Sequence, residues 1–108
     1  MNPEEANTKK CKVVKVIYNY DNFSYAYLYI VDENKNTLGC RWNYNYGTNN
    51  DIGSPNQGNN PKWLYLPESL YMQILNTIGG LAGTIEQNRI DVLQAINNGT
   101  IIRPETEK

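Results

Sequence analysis

CKVVKVIYNYDNFSYAYLYIVDENKNTLGCRWNY, residues 11 to 44, consists of three runs of β-branched and aromatic residues separated by two short polar breaks. The middle run, Phe23 to Val31, alternates most cleanly. Phe23, Tyr25, Tyr27, Tyr29 and Val31 fall on one face, and Ser24, Ala26, Leu28 and Ile30 on the other. In the first run, strict alternation sets Val14, Val16, Tyr18 and Tyr20 against Cys11, Val13, Lys15 and Ile17. The third, Thr37 to about Tyr44, sets Leu38, Cys40, Trp42 and Tyr44 against Gly39, Arg41 and Asn43. Asp21-Asn22 and DENKN (32 to 36) are short turns, so an antiparallel meander is the economical arrangement. The aliphatic face of the middle strand is the one expected to receive helices. The tyrosine face (Tyr25, Tyr27, Tyr29) would be a second buried layer, a dimer surface or a stacking platform.

Downstream lies a stretch without periodicity, Asn45 to Pro61, some 17 residues of Asn, Gly, Tyr and Pro. Loops longer than about 12 to 15 residues inside a compact domain are either functional or disordered. Here Trp42, Tyr44 and Tyr46 enter the loop and Trp63 and Tyr65 leave it. Disordered segments are poor in aromatic residues, so these rings argue for order. A short fourth strand is expected at Trp63 to Leu66, with Pro61 at its entry.

Helical periodicity then takes over. Pro67 suits a first helical position, and Leu70, Tyr71, Ile74, Leu75 and Ile78 form one apolar stripe that ends at Gly79-Gly80. Thr84-Ile-Glu-Gln87 reads as a capping box opening a second helix with Ile85, Ile90, Leu93 and Ile96, which stops at Asn97 to Gly99. Thr100 to Arg103 would return as a short edge strand. The expected fold is α+β: a small, mostly antiparallel sheet of four or five strands with a C-terminal helical hairpin packed on one face. Residues 10–103 form the single domain containing the 45–61 loop. Residues 1–9 and 104–108 are expected to be flexible tails.

With 108 residues there is room for one domain, and ten basic against eleven acidic residues give a net charge of −1. That balance lacks the electropositive footprint of a duplex nucleic-acid binder, and it weighs against single-stranded nucleic acid as well. No segment approaches the roughly 18 apolar residues of a membrane span, and the polar start MNPEEANTKK points to a cytoplasmic protein. In that compartment Cys11 and Cys40 should be free thiols, and the sequons at Asn22 and Asn98 chance matches. Histidine is absent, so the commonest base near neutral pH is missing and neither cysteine has an imidazole partner. No phosphate-binding glycine loop occurs, and the carboxylates of Asp21, Asp32, Glu33 and Asp51 sit singly in turns. Catalysis, a metal and a cofactor are therefore not expected.

What remains is binding chemistry. Arg41, one of three arginines, precedes the loop, and Lys62 follows it. With Trp42, Tyr44, Tyr46, Trp63 and Tyr65 they would offer charge and ring faces to a partner or a nucleotide-like ligand. The structural alternative makes Trp42 and Trp63 core anchors of the loop, with Arg41 stacked on one of them. Seventeen asparagines and nine tyrosines, with abundant Ile and Lys, match A/T-rich codons, as in a low-GC bacterium or its phages. In size and composition the chain looks like the short phage-encoded proteins that block or sequester host defence, a similarity of type rather than of motif. The function expected is that of a non-enzymatic binding protein that inhibits or sequesters a host-defence component by binding a host protein. It would bind through the aromatic loop or the tyrosine face. The alternatives are a sponge for a nucleotide-type small molecule and a single-stranded nucleic-acid binder. A homodimer would cover a sheet face left bare by a single helical hairpin.

Overall fold

The computed structural model describes residues 1–45 and 51–105. Its frame is an antiparallel meander of β1 (Cys11–Tyr20), β2 (Phe23–Ile30) and β3 (Lys35–Trp42). Two-residue strands β4 (Asn56–Gln57) and β5 (Asn60–Pro61) pair only with each other, and β6 (Leu64–Tyr65) adds antiparallel to β3. The sheet order is thus β1-β2-β3-β6. Helices α1 (Tyr71–Thr77) and α2 (Glu86–Asn98) follow, and the class is α+β. Between β1 and β2, Asp21 and Asn22 have φ of 51° and 68°, the left-handed pair that a tight hairpin turn of type I′ needs.

The helices lie on the face opposite to the one expected. Ile17, Tyr27 and Leu38 pack with Tyr71, Leu75, Ile78 and Val92, so the tyrosine face of β2 lies under α1 and α2. Two features of register explain this. Leu38 sits directly opposite Tyr27, which adds an aliphatic residue to that face. In β1, register shifts after Val13 and Val16 break strict alternation, so Val13 pairs with Leu28 and Val16 with Ala26, while Ile17 turns to the tyrosine side. Each bulge inserts one unpaired residue and inverts the alternation, so Lys15 and Val16 between the two are inverted and the phase is restored at Tyr18. Ile17 and Leu38 thereby join Tyr27 under the helices.

The aliphatic face, Ala26, Leu28 and Ile30, takes a thinner cover. Trp63 and Ala6 pack on it, and a short 3-10 turn at Pro3–Glu5 buries Pro3. Residues 1–9, expected to be a tail, lie over this layer, and Met1 donates from its amino group to the Asn43 carbonyl at 2.9 Å. Of the C-terminal tail, Pro104 and Glu105 are described and 106–108 lie outside the described residues.

The first helix begins as a 3-10 turn at Glu68–Leu70 before α1. The capping box expected at Thr84 is not made. Thr84 Oγ1 donates to the Ile78 carbonyl at 2.6 Å and Gln87 to Asp91, so α2 starts at Glu86 with no side-chain cap. Its end conforms to expectation, with Gly99 left-handed at φ 65°. Thr100 to Arg103 does not become a strand. Ile102 binds the Asn36 side chain in both directions, at 2.8 and 2.7 Å. Cys11 and Cys40 are free and buried, one in each layer. No helix among the described residues is long and apolar enough to cross a membrane.

Candidate functional site

The helices cover only part of the tyrosine face. Directly opposed residues of an antiparallel sheet share a face, so the pairs Tyr20–Phe23 and Phe23–Trp42 set three aromatic residues in a row across β1, β2 and β3. The next row holds Tyr18, Tyr25, Cys40 and Leu64. In this region Tyr20 is 55%, Trp42 52% and Leu64 59% exposed, and Phe23, Tyr25 and Tyr18 are half-buried. The rings brace one another. Phe23 lies 4.8 Å from Trp42 at 65° and 5.2 Å from Tyr25 at 86°, and Tyr25 lies 5.9 Å from Tyr18 at 56°. Edge-to-face contacts of this kind are worth about 0.5–1.5 kcal/mol each beyond area burial, so the shelf is preformed.

Two shallow grooves flank these rings. One of about 270 Å³ lies between Phe23, Trp42, Pro55 and Leu64, with Cys40 lining it. The other, about 260 Å³, separates Tyr25 from Gln73, Ile74 and Thr77. The wall at Pro55 is set by the loop, because Ser54 and Trp42 exchange backbone hydrogen bonds at 2.7 and 3.0 Å. The Trp42 indole N–H and the hydroxyls of Tyr18, Tyr20 and Tyr25 have no hydrogen-bond partner among the described residues. The shelf therefore combines apolar relief with unused donors.

The sequence-derived site residues do not converge. Arg41 is 1% exposed. Its Nη1 donates to the Lys62 carbonyl at 2.5 Å, its Nη2 to the Ile52 carbonyl, and its Nε has no partner among the described residues. Burial away from water lowers its pKa without discharging it. Trp63 is buried on the aliphatic face, with the Arg41 Cζ 5.7 Å from its ring centroid and its indole N–H donating to Ala6 at 2.8 Å. Trp63 with Arg41 thus fits the structural alternative, whereas Trp42, on the opposite face, does not. Lys62 and Tyr65 border a separate cleft of about 240 Å³ beside Cys11, a volume below the roughly 300–1,000 Å³ of drug-sized ligand sites. Tyr44 donates from its hydroxyl to Asn2 at 3.1 Å. Tyr46 lies outside the described residues. Tyr27 and Tyr29 are buried within the chain, and only Tyr25 reaches the shelf.

Sequence reading missed Tyr20, Phe23, Pro55 and Leu64. The turn is Val31 to Asn34, closed by Ile30 opposite Lys35, and this sets Phe23 opposite Trp42. A turn over DENKN would instead have put Phe23 opposite Asn45, so this row was hidden by a turn placed too late in the sequence. Leu64 and Pro55 had no signal, since the loop alone decides where they land. Among the described residues no three His, Cys, Asp or Glu side chains gather as a metal site, and burial pushes the thiols of Cys11 and Cys40 upward in pKa, away from the reactive thiolate. Compared with known proteins, the chain matches no family model, no curated protein and no solved structure.

Proposed function

We propose that the chain is a non-enzymatic binding protein that captures a protein partner on the aromatic shelf. The observation that carries this is the exposure of Tyr20, Trp42 and Leu64 on one uncharged surface, around the ring of Phe23 that braces Trp42. Trp and Tyr are the residue types that most often anchor interfaces, because they bury large area at little rotamer cost. An inhibitory or sequestering role against a host protein accords with the A/T-rich composition and small size. A nucleotide pocket has less support. Its intended cation, Arg41, is tied to two carbonyls, and its two tryptophans lie on opposite faces.

The experiment is affinity capture from a bacterial lysate with the wild-type chain and Trp42→Ala in parallel. A partner retained by the first and lost by the second, with the variant still folding cooperatively and its melting temperature lowered by only the several degrees that about 1 kcal/mol implies, is the expected result. Equal capture by both would move the interface off the shelf. A homodimer built on the same rings would show as concentration-dependent sedimentation removed by the same substitution.

A further inference from the structure

We infer that the segment recognised by the shelf is extended, uncharged and proline-rich, lying across Tyr25, Phe23 and Trp42 as a polyproline II helix. This rests on the binding function proposed above and specifies its ligand. Three features of the surface lead to it. First, the charge pattern selects an uncharged occupant. Among the described residues, Arg41 is the only ionisable side chain other than tyrosine and cysteine lining the two grooves, and its guanidinium is engaged elsewhere. A charged segment would lose its hydration here without compensation.

Second, the ring geometry favours a ridged ligand over a flat one. Interplanar angles of 65°, 86° and 56° make alternating ridges and slots rather than a level stacking platform. Nucleobases stack on ring faces presented flat. A polyproline II helix is instead a narrow three-sided rod whose pyrrolidine rings fit slots between aromatic side chains. The grooves beside Trp42 and beside Tyr25 provide two such slots on one surface.

Third, the hydrogen-bonding groups match. An added β-strand would need a run of free backbone groups at the sheet edge. Beside Trp42 these are taken by Ser54, and beyond it the edge is β6, only two residues long. What the shelf offers is side-chain donors, the Trp42 indole N–H and the hydroxyls of Tyr20 and Tyr25. The backbone carbonyls of a polyproline II segment have no internal partners and can accept from such donors. Because this conformation is largely preformed in solution, the ordering cost on a shallow surface stays low.

The test is selection of a random-peptide display library on the immobilised full chain, followed by NMR titration of the enriched peptides as synthetic ligands. The expected result is enrichment of paired prolines in uncharged sequences. These peptides should shift the Trp42 indole N–H resonance while leaving that of Trp63 in place. Trp42→Ala should weaken them by at least about 30-fold, the effect of losing an interface anchor, and alanine in place of the prolines should weaken them by about 10-fold. Enriched peptides without proline that still depend on Trp42 would overturn the inference and leave the binding shelf standing. Peptides that bind Trp42→Ala equally well, or a library with no enrichment, would overturn both.

Discussion

Arg41 shows how much a single buried side chain organises. Its position on β3 places a guanidinium under the loop, where it donates to the carbonyls of Ile52 and Lys62 and so ties together the two ends of the segment between them. Truncation leaves two buried carbonyls unpaired, at about 1–3 kcal/mol each, partly offset by removal of a buried charge. Arg41→Ala should therefore destabilise the chain by roughly 2–4 kcal/mol, read by denaturant unfolding. A loss under about 0.5 kcal/mol, the level of an ordinary surface substitution, would mean the loop is held by other contacts.

Tyr27 carries a second consequence at this scale. Burial raises its pKa to about 12 from an ordinary value near 10, and burial also raises Tyr25, Cys11 and Cys40. A group whose folded pKa lies above its unfolded value binds the proton more tightly when folded. Its contribution is complete below the unfolded pKa and disappears as pH rises through the folded one. Stability should thus decline above about pH 9, where unfolded thiols begin to ionise, and fall more steeply between about 10 and 12. Circular dichroism followed with tyrosinate absorbance should show unfolding and tyrosine ionisation together. Ionisation of all nine tyrosines near pH 10 in a still-folded chain would contradict the burial of Tyr27.

Among the elements, the loop after β3 depends on close approach. Gly53 has φ 75°, and a Cβ there would run into the Trp42 carbonyl and the Arg41 guanidinium. Gly58 has φ 62° with open space around it. Both alanine substitutions carry the left-handed backbone cost, about 1 kcal/mol, but only Gly53→Ala adds the steric conflict. Gly58→Ala should lower stability by about 1 kcal/mol and Gly53→Ala by at least about 2 kcal/mol more, compared by thermal melts. Similar melting temperatures would show that residues 52–54 do not dock as described. The outer edge of β1 is closed by local side chains and by the segment before α2. Asn7 accepts from Val13, Asn88 donates to Val16, and Gly83 and Ile85 bond Asn19 and Ile17. Side-chain plugs of this kind blunt an edge that would otherwise template aggregation.

For the molecule as a whole, the sheet has two unequal covers and one uncovered region, and its two tryptophans report on them separately. Trp63 sits in the thin layer and Trp42 on the shelf. Trp63→Ala should cost about 3–5 kcal/mol, as expected for a large buried aromatic. Trp42→Ala should cost about 1 kcal/mol, mainly its edge contact with Phe23. Denaturant midpoints of the two variants decide this, and a Trp42→Ala loss as large as that of Trp63→Ala would mean the shelf is core rather than surface.

Local chemistry made the three long strands, the Asp21-Asn22 turn, the helix ending at Gly99 and the α+β class legible in the residues, because alternation, turn preference and helical periodicity act over a few positions at a time. The same logic failed where a distant partner competes. Thr84 could cap a helix but bonds Ile78 instead, and two bulges inverted the phase of β1 between Val13 and Tyr18, which no count of alternation detects. Arg41 and Trp42 are adjacent in sequence and read as one site, yet the pleat sends them to opposite faces. Whether each face is buried depended on where the loop, residues 1–9 and the helices came to lie. Sequence determined which residues are apolar, charged or turn-forming. Only the tertiary structure decided which apolar surface stayed uncovered, because coverage depends on long-range packing of the whole chain.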